Sequence, residues 1–416
     1  MADVTLRTIR YYDKQNLLKP SYVNEHGARF YTDSDFVKLQ QILLFKFLGF
    51  SLSEIRDMTL NHPDRHVLLD SLDIQLKLVK DRREQLQLME QTIQTTADTI
   101  RPACWMEENM ANILVSGLIN TETTVRVRQF PVNYYPIDYP FFGVNTAVSG
   151  VAYNISKALK TLGDDVTLLT MTGRDFPAEY IQSQLCTAGI GTDWVKPRLK
   201  ETPNSVVLYD GEGKRQIYCD LKDIQETPYD FPEDICRDAD VVAACNINFN
   251  RPLLHQAKTL GKTVATDVHV LSDIHDEFNR EFMSCADILF LSDEGIRGDY
   301  RDFLRALGDT YGNRIIVLGR GAEGAAMYLR EENRIFALPA VQVGEIVNTV
   351  GAGDALFSGF LHHFARGYHP LDALARAQVF ASAKIRVSGA ANGFPAEKEM
   401  ESLCREYAGR MEYYEV

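Results

Sequence analysis

The stretch NTVGAGDALFSGF, residues 348 to 360, sets two glycines, an alanine and an aspartate at the start of what reads as a helix. Glycines let backbone amides turn toward a ligand, and at a helix N-terminus those amides and the aligned peptide dipoles favour negative charge. The loop therefore suits phosphate chemistry, with the amides of Gly351, Ala352 and Gly353 placed to stabilise charge building on a transferring phosphoryl group. A carboxylate is a poor phosphate ligand, because like charges repel, so Asp354 makes better sense as a base that takes a proton from an attacking hydroxyl. A plain turn into a buried helix could carry the same letters, and the surrounding chain has to decide.

Outward from the loop, residues 110 to 416 alternate short apolar runs with helical stretches. NILVSGLI, DVTLLTMTG, DVVAACNIN, KTVATDV, DILFLS and RIIVLG read as strands, and 151 to 162 and 251 to 260 read as helices. That alternation predicts a mostly parallel sheet covered by helices on both faces. TTVRVRQFPVNYYPIDYPFFGV and NSVVLYDGEGKRQIYCDL break the pattern and read as antiparallel strands with a hairpin around DGEGK, a small β lid over about 119–146 and 204–222.

The chain has 416 residues, long enough for several domains, with 45% hydrophobic and 24% charged residues. Its formal net charge of -13 disfavours binding of polyanions by the chain as a whole. The first 56 residues are the exception: Arg7, Arg10, Lys14, Lys19, Arg29, Lys38, Lys46 and Arg56 outnumber Asp3, Asp13, Glu25, Asp33, Asp35 and Glu54. Any nucleic-acid contact belongs there. The seven cysteines are scattered and never spaced as CxxC, which reads as reduced thiols and a cytoplasmic protein. No apolar run approaches membrane-spanning length, and a soluble protein without a membrane partner is expected.

In the basic head, TLRTIRYYDKQNLLKP carries arginines and tyrosines at helical spacing, and NEHGARFYTDSDF offers a Gly turn before a helix capped near Thr32 or Ser34. A helix with Arg7, Arg10 and Tyr11 on one side can enter a major groove while a basic turn touches phosphates. Beyond it Leu69, Leu72, Leu76, Val79, Leu86, Ile93, Ala97 and Ile100 repeat in steps of three and four, interrupted by Arg83 and Glu90, until Pro102. This heptad stripe predicts a long helix, ended by Pro102, and a linker over 69–105; the helix packs either on its own domain or, as no other element nearby is long enough to cover the stripe, on the same helix of a second chain.

The order of RTIRYYDKQNLLKP, HGARFY and LQQILLFKFLGFSLSEIRDM closely resembles the MerR family of transcription regulators. The resemblance implies an all-α winged helix-turn-helix head over 1–68, a long helix pairing antiparallel in a homodimer, and double-stranded DNA faced by Arg7, Arg10, Tyr11 and Arg29. In that family a further helix precedes the RTIRYYD segment. Here only Met1 to Thr5 precede Leu6, so the expectation is either a head short of its first helix or a true start that lies upstream.

Residues 110 to 416 resemble the ribokinase-like PfkB family of carbohydrate and nucleoside kinases. NTVGAGDALFSGFL matches its C-terminal signature, SGVAYNISKALKTLG with LLTMTGRD its N-terminal one, VLGRGAEGAAMY the glycine turn near the nucleotide, and AQVFASAKIRVSGAANGFP the adenine-side segment. The resemblance implies Asp354 as catalytic base and Asn120, Glu122, Gly150 and Asn154 on substrate hydroxyls. It places Gly319, Gly321, Gly324, Asn348 and Thr349 near ATP. ATP with Mg2+ is the implied cosubstrate, and some members also need a monovalent cation.

The departures are specific. Glu122 stands where the family usually has Asp, Ser149 where it has the first of two glycines, and Asn348 where it has Asp, which removes a charge near the cation or nucleotide side. The NxxE element that organises metal and phosphate appears as SDEG: Ser292 replaces the Asn and Gly295 the Glu, leaving Asp293 or Glu294 to substitute. The expected activity is ATP-dependent phosphorylation of a hydroxyl on a sugar, nucleoside or related polyol, fused to a DNA-binding head. The alternative is a ligand-sensing regulator whose kinase fold binds with little or no catalysis.

Overall fold

The computed structural model describes residues 4–60, 69, 72–80, 82–83, 85–86, 89, 110–212 and 214–416. The chain divides into two units, Met1–Glu107 and Glu108–Val416.

In the first unit Thr5 caps α1 (Leu6–Lys14), its hydroxyl accepting from the Thr8 amide at 3.2 Å. The i, i+3, i+4 spacing puts Arg7, Arg10, Tyr11 and Lys14 on an exposed face, while Tyr12 turns into the core. The short strands β1 (Tyr22–Val23) and β2 (Arg29–Phe30) pair antiparallel, with Gly27 at φ +75° making the turn between them. α2 (Asp33–Phe47) is capped at Thr32, whose amide donates to the Asp35 carboxylate at 3.0 Å, so the cap is Thr32 and not Ser34. α3 (Leu52–Leu60) completes a small core of Tyr12, Leu17, Leu18, Leu39, Ile42, Phe50 and Ile55. The helix carrying RTIRYYD is the first among the described residues.

Of the heptad stripe, Leu69, Leu72, Leu76, Val79, Arg83 and Leu86 are described and helical. Leu72 packs on the head core, whereas Leu69, Leu76, Val79 and Leu86 are each more than half exposed. Glu90, Ile93, Ala97, Ile100 and Pro102 lie outside the described residues.

The second unit begins with β3 (Asn112–Ser116), leaves the main sheet for β4 (Asn120–Arg126) and β5 (Val144–Ser149), and returns through α4 (Val151–Thr161) to β6 (Asp165–Thr172). α5 (Phe176–Thr187) and β7 (Val195–Pro197) follow, then the hairpin β8 (Asn204–Tyr209) and β9 (Arg215–Asp220). Next come β10 (Val241–Ala244), α6 (Arg251–Thr259), β11 (Thr263–Val270), α7 (Arg280–Cys285), β12 (Ile288–Ser292), α8 (Tyr300–Tyr311) and β13 (Ile315–Gly319). β14 (Ala325–Leu329), β15 (Arg334–Leu338), α9 (Ala352–Ala365), α10 (Pro370–Lys384), α11 (Glu397–Tyr407) and β16 (Tyr414–Glu415) end the chain.

The main sheet has ten strands in the order β16-β15-β14-β13-β12-β11-β10-β3-β6-β7. From β7 to β13 neighbours run parallel, and from β13 to β16 antiparallel. Side chains alternate between two cores: Ile113 and Val115 of β3 join Phe357 and Phe360 of α9, while Leu114 joins Leu253 and Leu254 of α6. Burial on both faces is why these strands read as continuous apolar runs.

The four lid strands form a separate sheet, β5-β4-β8-β9. It differs from the expected antiparallel lid in one pairing, because β4 and β8 run parallel. Each hairpin is antiparallel within itself, but the chain crosses the main sheet between them and re-enters the lid in the same direction. β5 also runs on to Ser149, past the predicted limit at 146, and so hands the chain directly to Gly150 and α4.

Candidate active site

The loop before α9 is held from behind by the end of α10. The Ile385 carbonyl accepts from the amides of Val347 and Asn348 at 2.9 and 3.1 Å, and the Lys384 ammonium donates to the Val350 carbonyl. Asn348 closes the loop on itself, its Oδ1 accepting from the Val350 amide at 2.7 Å. Gly351 then caps α9 at φ +78°, where a Cβ would collide with the Ala390 carbonyl, so only glycine fits.

The amides at this helix start are not equivalent. That of Ala352 donates to the Thr349 carbonyl at 3.1 Å and is spent inside the turn, which departs from its expected role as a phosphoryl donor. Among the described residues, those of Gly351, Gly353 and Asp354 find no backbone partner. Gly353 faces open space, with nothing within 4 Å of where a Cβ would stand. A ligand has room there.

Asp354, in the first turn of α9, accepts from Asn154 of α4, Nδ2 to Oδ2 at 2.7 Å. Burial raises its pKa above the ordinary carboxylate value, and the Asn154 bond works in the opposite direction. The Asn154 Oδ1 is buried without a partner, and so is the Oδ1 of Asn120, whose Nδ2 donates to Ser205 at 3.1 Å. Buried acceptors left unpaired suit donors from a bound polyhydroxyl compound. Glu122, two residues along β4, accepts from the Ser149 hydroxyl at 3.3 Å; burial raises its pKa, and the neighbouring Asp354 charge adds to that. Gly150, at φ +102°, brings α4 against the Leu118 carbonyl, which a Cβ would approach to 2.6 Å. The lid strand and α4 thus bring Glu122 and Asn154 beside Asp354, with Asn120 on the same strand and Gly150 at the start of α4.

The glycine turn Gly319–Gly324 lies at the ends of β13 and β14, where Gly319 faces Leu356 of α9 and Gly324 takes φ +95° against the Leu338 carbonyl. Gly321, also left-handed at φ +51°, stands open to solvent. Thr349 serves the loop through its carbonyl. No bond joins the glycine turn to Asp354 among the described residues. Ser292 pairs in register with Gly319, and its hydroxyl accepts from the Glu294 amide at 3.4 Å. Asp293 is half-buried and Glu294 exposed. Gly295 is wedged against β11: a Cβ there would lie 2.8 Å from Val270 Cγ1 and 3.0 Å from the Leu271 backbone. A glutamate at this position has to displace the Val270 side chain or the Leu271 backbone.

Three residues escaped the sequence reading. Lys384, fully buried, acts on both Asp354 and Glu122. Asp267 and His269, at the end of β11, act on Asp354 in opposite senses, and His269 adopts a left-handed φ of +59°. The signal for Lys384 was a lone cation closing the apolar run AQVFASA; TDVHV carried nothing comparable.

In the basic head, Arg7, Arg10 and Tyr11 are exposed on α1, but Arg29 is tied to Asp13 by a 2.7 Å ion pair that lowers the Asp13 pKa.

Residues 110–397 match the family model described as pfkB family carbohydrate kinase. The chain belongs to that family. Residues 1–61 match the model described as MerR HTH family regulatory protein. Over 98 residues the head is 41% identical to the HTH-type transcriptional activator mta of Bacillus subtilis, covering 23% of this chain and 37% of that one. Over 262 residues the chain is 26% identical to the ATP-dependent ribose-1-phosphate kinase of Halopiger xanaduensis, covering 61% of this chain and 84% of that one. The solved structure of the microbiome-derived acarbose kinase Mak1 aligns with a TM-score of 0.65 at 22% identity, over 71% of this chain and all of that one, and shows the shared fold. A pfkB-type α/β domain is therefore fused to a MerR-type helix-turn-helix head.

PfkB-family kinases use ATP with a divalent metal. Among the described residues no group of three or more His, Cys, Asp or Glu is arranged to hold a metal ion. Mg2+ that arrives on nucleotide phosphates asks for only one or two carboxylates, fewer than such a group. Among the described residues no helix is long and apolar enough to cross a membrane.

Proposed function

We propose that the second unit transfers the γ-phosphoryl group of ATP to a hydroxyl of a sugar, nucleoside or related polyol. The observation that carries this reading is the Asn154–Asp354 bond, which aims a buried carboxylate of raised pKa at the mouth of an amide-lined helix start.

Asp354 takes the proton of the accepting hydroxyl as its oxygen attacks the γ-phosphorus, the bond from that phosphorus to the β,γ-bridging oxygen breaks and ADP leaves with the electron pair, and Asn154 holds the carboxylate in line. The unpaired Oδ1 atoms of Asn120 and Asn154 receive substrate hydroxyls, and Glu122 receives another. The amides of Gly351, Gly353 and Asp354 meet charge on the transferring group. Bound Mg2+ would neutralise phosphate charge, with Asp293 as its half-buried candidate ligand. Lid strands β4, β5, β8 and β9 cover the substrate side and exclude water.

The head contributes DNA binding in this reading. Arg7, Arg10 and Tyr11 offer a polar face to a major groove, and the Arg29–Asp13 pair, made through Nε, fixes the wing while the outer guanidinium nitrogens of Arg29 meet phosphate. The exposed Leu69, Leu76, Val79 and Leu86 supply a seam for a second copy, so the working form is a homodimer in the cytoplasm. Gly295 favours the second reading, a regulator that binds its ligand with little turnover, because the missing carboxylate cannot be restored without displacing the Val270 side chain or the Leu271 backbone.

A screen of sugars and nucleosides with ATP and Mg2+, run beside Asp354→Ala, tests the first reading. Turnover that the variant loses supports the kinase. Binding of a sugar or nucleoside with no turnover in either protein supports the sensor.

A further inference from the structure

Among the described residues Lys384 is the one fully buried lysine or arginine, at 0% exposure. A lysine in the last turn of a helix ordinarily reaches into solvent while it favours the dipole. This one turns inward from the end of α10 and gives its ammonium to the Val350 carbonyl, in the middle of the catalytic loop. Amides that face a phosphate oblige the carbonyls behind them to face the protein interior, where each needs a partner. Lys384 partners that carbonyl with a full charge.

We propose that Lys384 is a built-in monovalent cation: a positioning residue whose ammonium holds the back of the phosphate loop and makes added potassium or sodium unnecessary. The inference rests on the kinase reading of the loop. Three observations converge on it. The carbonyl is already occupied, and a second cation beside it meets repulsion from the first. Asn348, which bonds the Val350 amide, brings no negative charge that could attract a free ion. The loop is also stitched to α10 one residue further on, through the Ile385 carbonyl, so the ammonium is held in register with the loop.

The titratable and charged groups around it are Asp354 of α9 and Glu122 of β4, and beyond them Arg215 of β9 and Asp267 and His269 of β11. Burial lowers the Lys384 pKa to about 8, and both carboxylates resist that fall, so the ammonium is largely charged at neutral pH. Its charge sits behind the amides while phosphoryl charge grows in front.

The test uses the full chain, exchanged into tetramethylammonium buffer, with potassium, sodium or ammonium chloride added at constant ionic strength. Wild-type kcat should change less than twofold among the salts. K384M should lose at least tenfold in kcat with KM within threefold, and potassium or ammonium should restore part of it, because the methionine leaves the Val350 carbonyl to a free ion. K384R, which keeps a cation, should lose less. A thermal-unfolding scan of the same samples reads the site without turnover: potassium should raise the midpoint of K384M and leave wild type unmoved. Activation of the wild type tenfold or more by potassium overturns the proposal and leaves the kinase reading intact. In a chain with no turnover the kinase reading fails separately, and the scan decides: a wild-type midpoint raised by potassium, or a K384M midpoint unmoved by it, overturns the proposal.

Discussion

Asn154 and Asp354 stand 200 positions apart in the chain and meet at 2.7 Å, α4 delivering the amide and α9 the carboxylate. The contact joins the two stretches that resemble the family's N- and C-terminal signatures, and it makes their separate glycines intelligible. Gly150 lets α4 start against the Leu118 carbonyl, Gly351 lets α9 start against the Ala390 carbonyl, and the two helix starts then face each other. Asp354→Ala should lower kcat by about 10²–10⁴, the usual worth of a positioned general base. Asn154→Ala should cost less in kcat and also raise KM, because the same side chain presents its free Oδ1 to substrate. Steady-state kinetics on both variants measures the split.

The pH dependence follows from two groups that move in known directions. Burial raises the Asp354 pKa, so the base protonates at a higher pH than a free carboxylate, and kcat should fall as pH drops through that raised value. Burial lowers the Lys384 pKa to about 8, so the loop's cation is lost as pH rises through 8. A bell-shaped profile results, with an alkaline limb that K384M should remove; the acid limb should persist and move to higher pH, because the lost ammonium no longer holds the Asp354 pKa down. Stability runs the other way at high pH. A lysine whose folded pKa lies below its unfolded value makes folding more favourable between about 8 and 10.5, since the unfolded chain binds the proton more readily. An activity loss above pH 8 that tracks unfolding would contradict this assignment.

The glycines of the loop separate fold from function. Gly351→Ala forces a side chain into a left-handed conformation against the Ala390 carbonyl, and should cost about 1–3 kcal/mol of stability as well as activity. Gly353→Ala meets no protein atom within 4 Å. Its midpoint of unfolding should stay near wild type while affinity for ATP falls, because the added methyl occupies the space in front of the free amides. Calorimetric unfolding and nucleotide titration of the pair give the comparison.

The parallel core and the GAGD loop were legible in the sequence because both depend on local signals. A strand buried on both faces must be apolar throughout, as in β10 and β12, and a helix start aimed at phosphate must carry glycine. What stayed hidden depends on distant parts of the chain. The parallel join of β4 to β8 is fixed by a crossover through the main sheet, which no lid residue reports. Ala352 and Gly351 are neighbours in the motif, and only the turn decides that the Ala352 amide bonds Thr349 and leaves its neighbour free. Lys384 looked like an ordinary helix-terminal lysine until the loop folded back over it.

The turn at 292 to 295 gives the last prediction. Were its sequence a recent loss, restoring the family residues should restore the metal arrangement, and Ser292→Asn with Gly295→Glu should raise kcat. The packing argues otherwise. A Cβ on residue 295 lies 2.8 Å from Val270 Cγ1 and 3.0 Å from the Leu271 backbone, so even alanine has to shift the Val270 side chain or the backbone just beyond β11, the strand that carries Asp267 and His269. Gly295→Ala should therefore destabilise the second unit by about 1–3 kcal/mol, the range for overpacking a well-filled site. The double variant should be less stable still, with no gain in turnover. Asp293→Asn leaves that packing untouched and should weaken Mg2+-dependent nucleotide binding at unchanged stability. Magnesium titrations of ATP affinity, read beside unfolding midpoints, distinguish a turn that has only lost a carboxylate from one rebuilt around its absence.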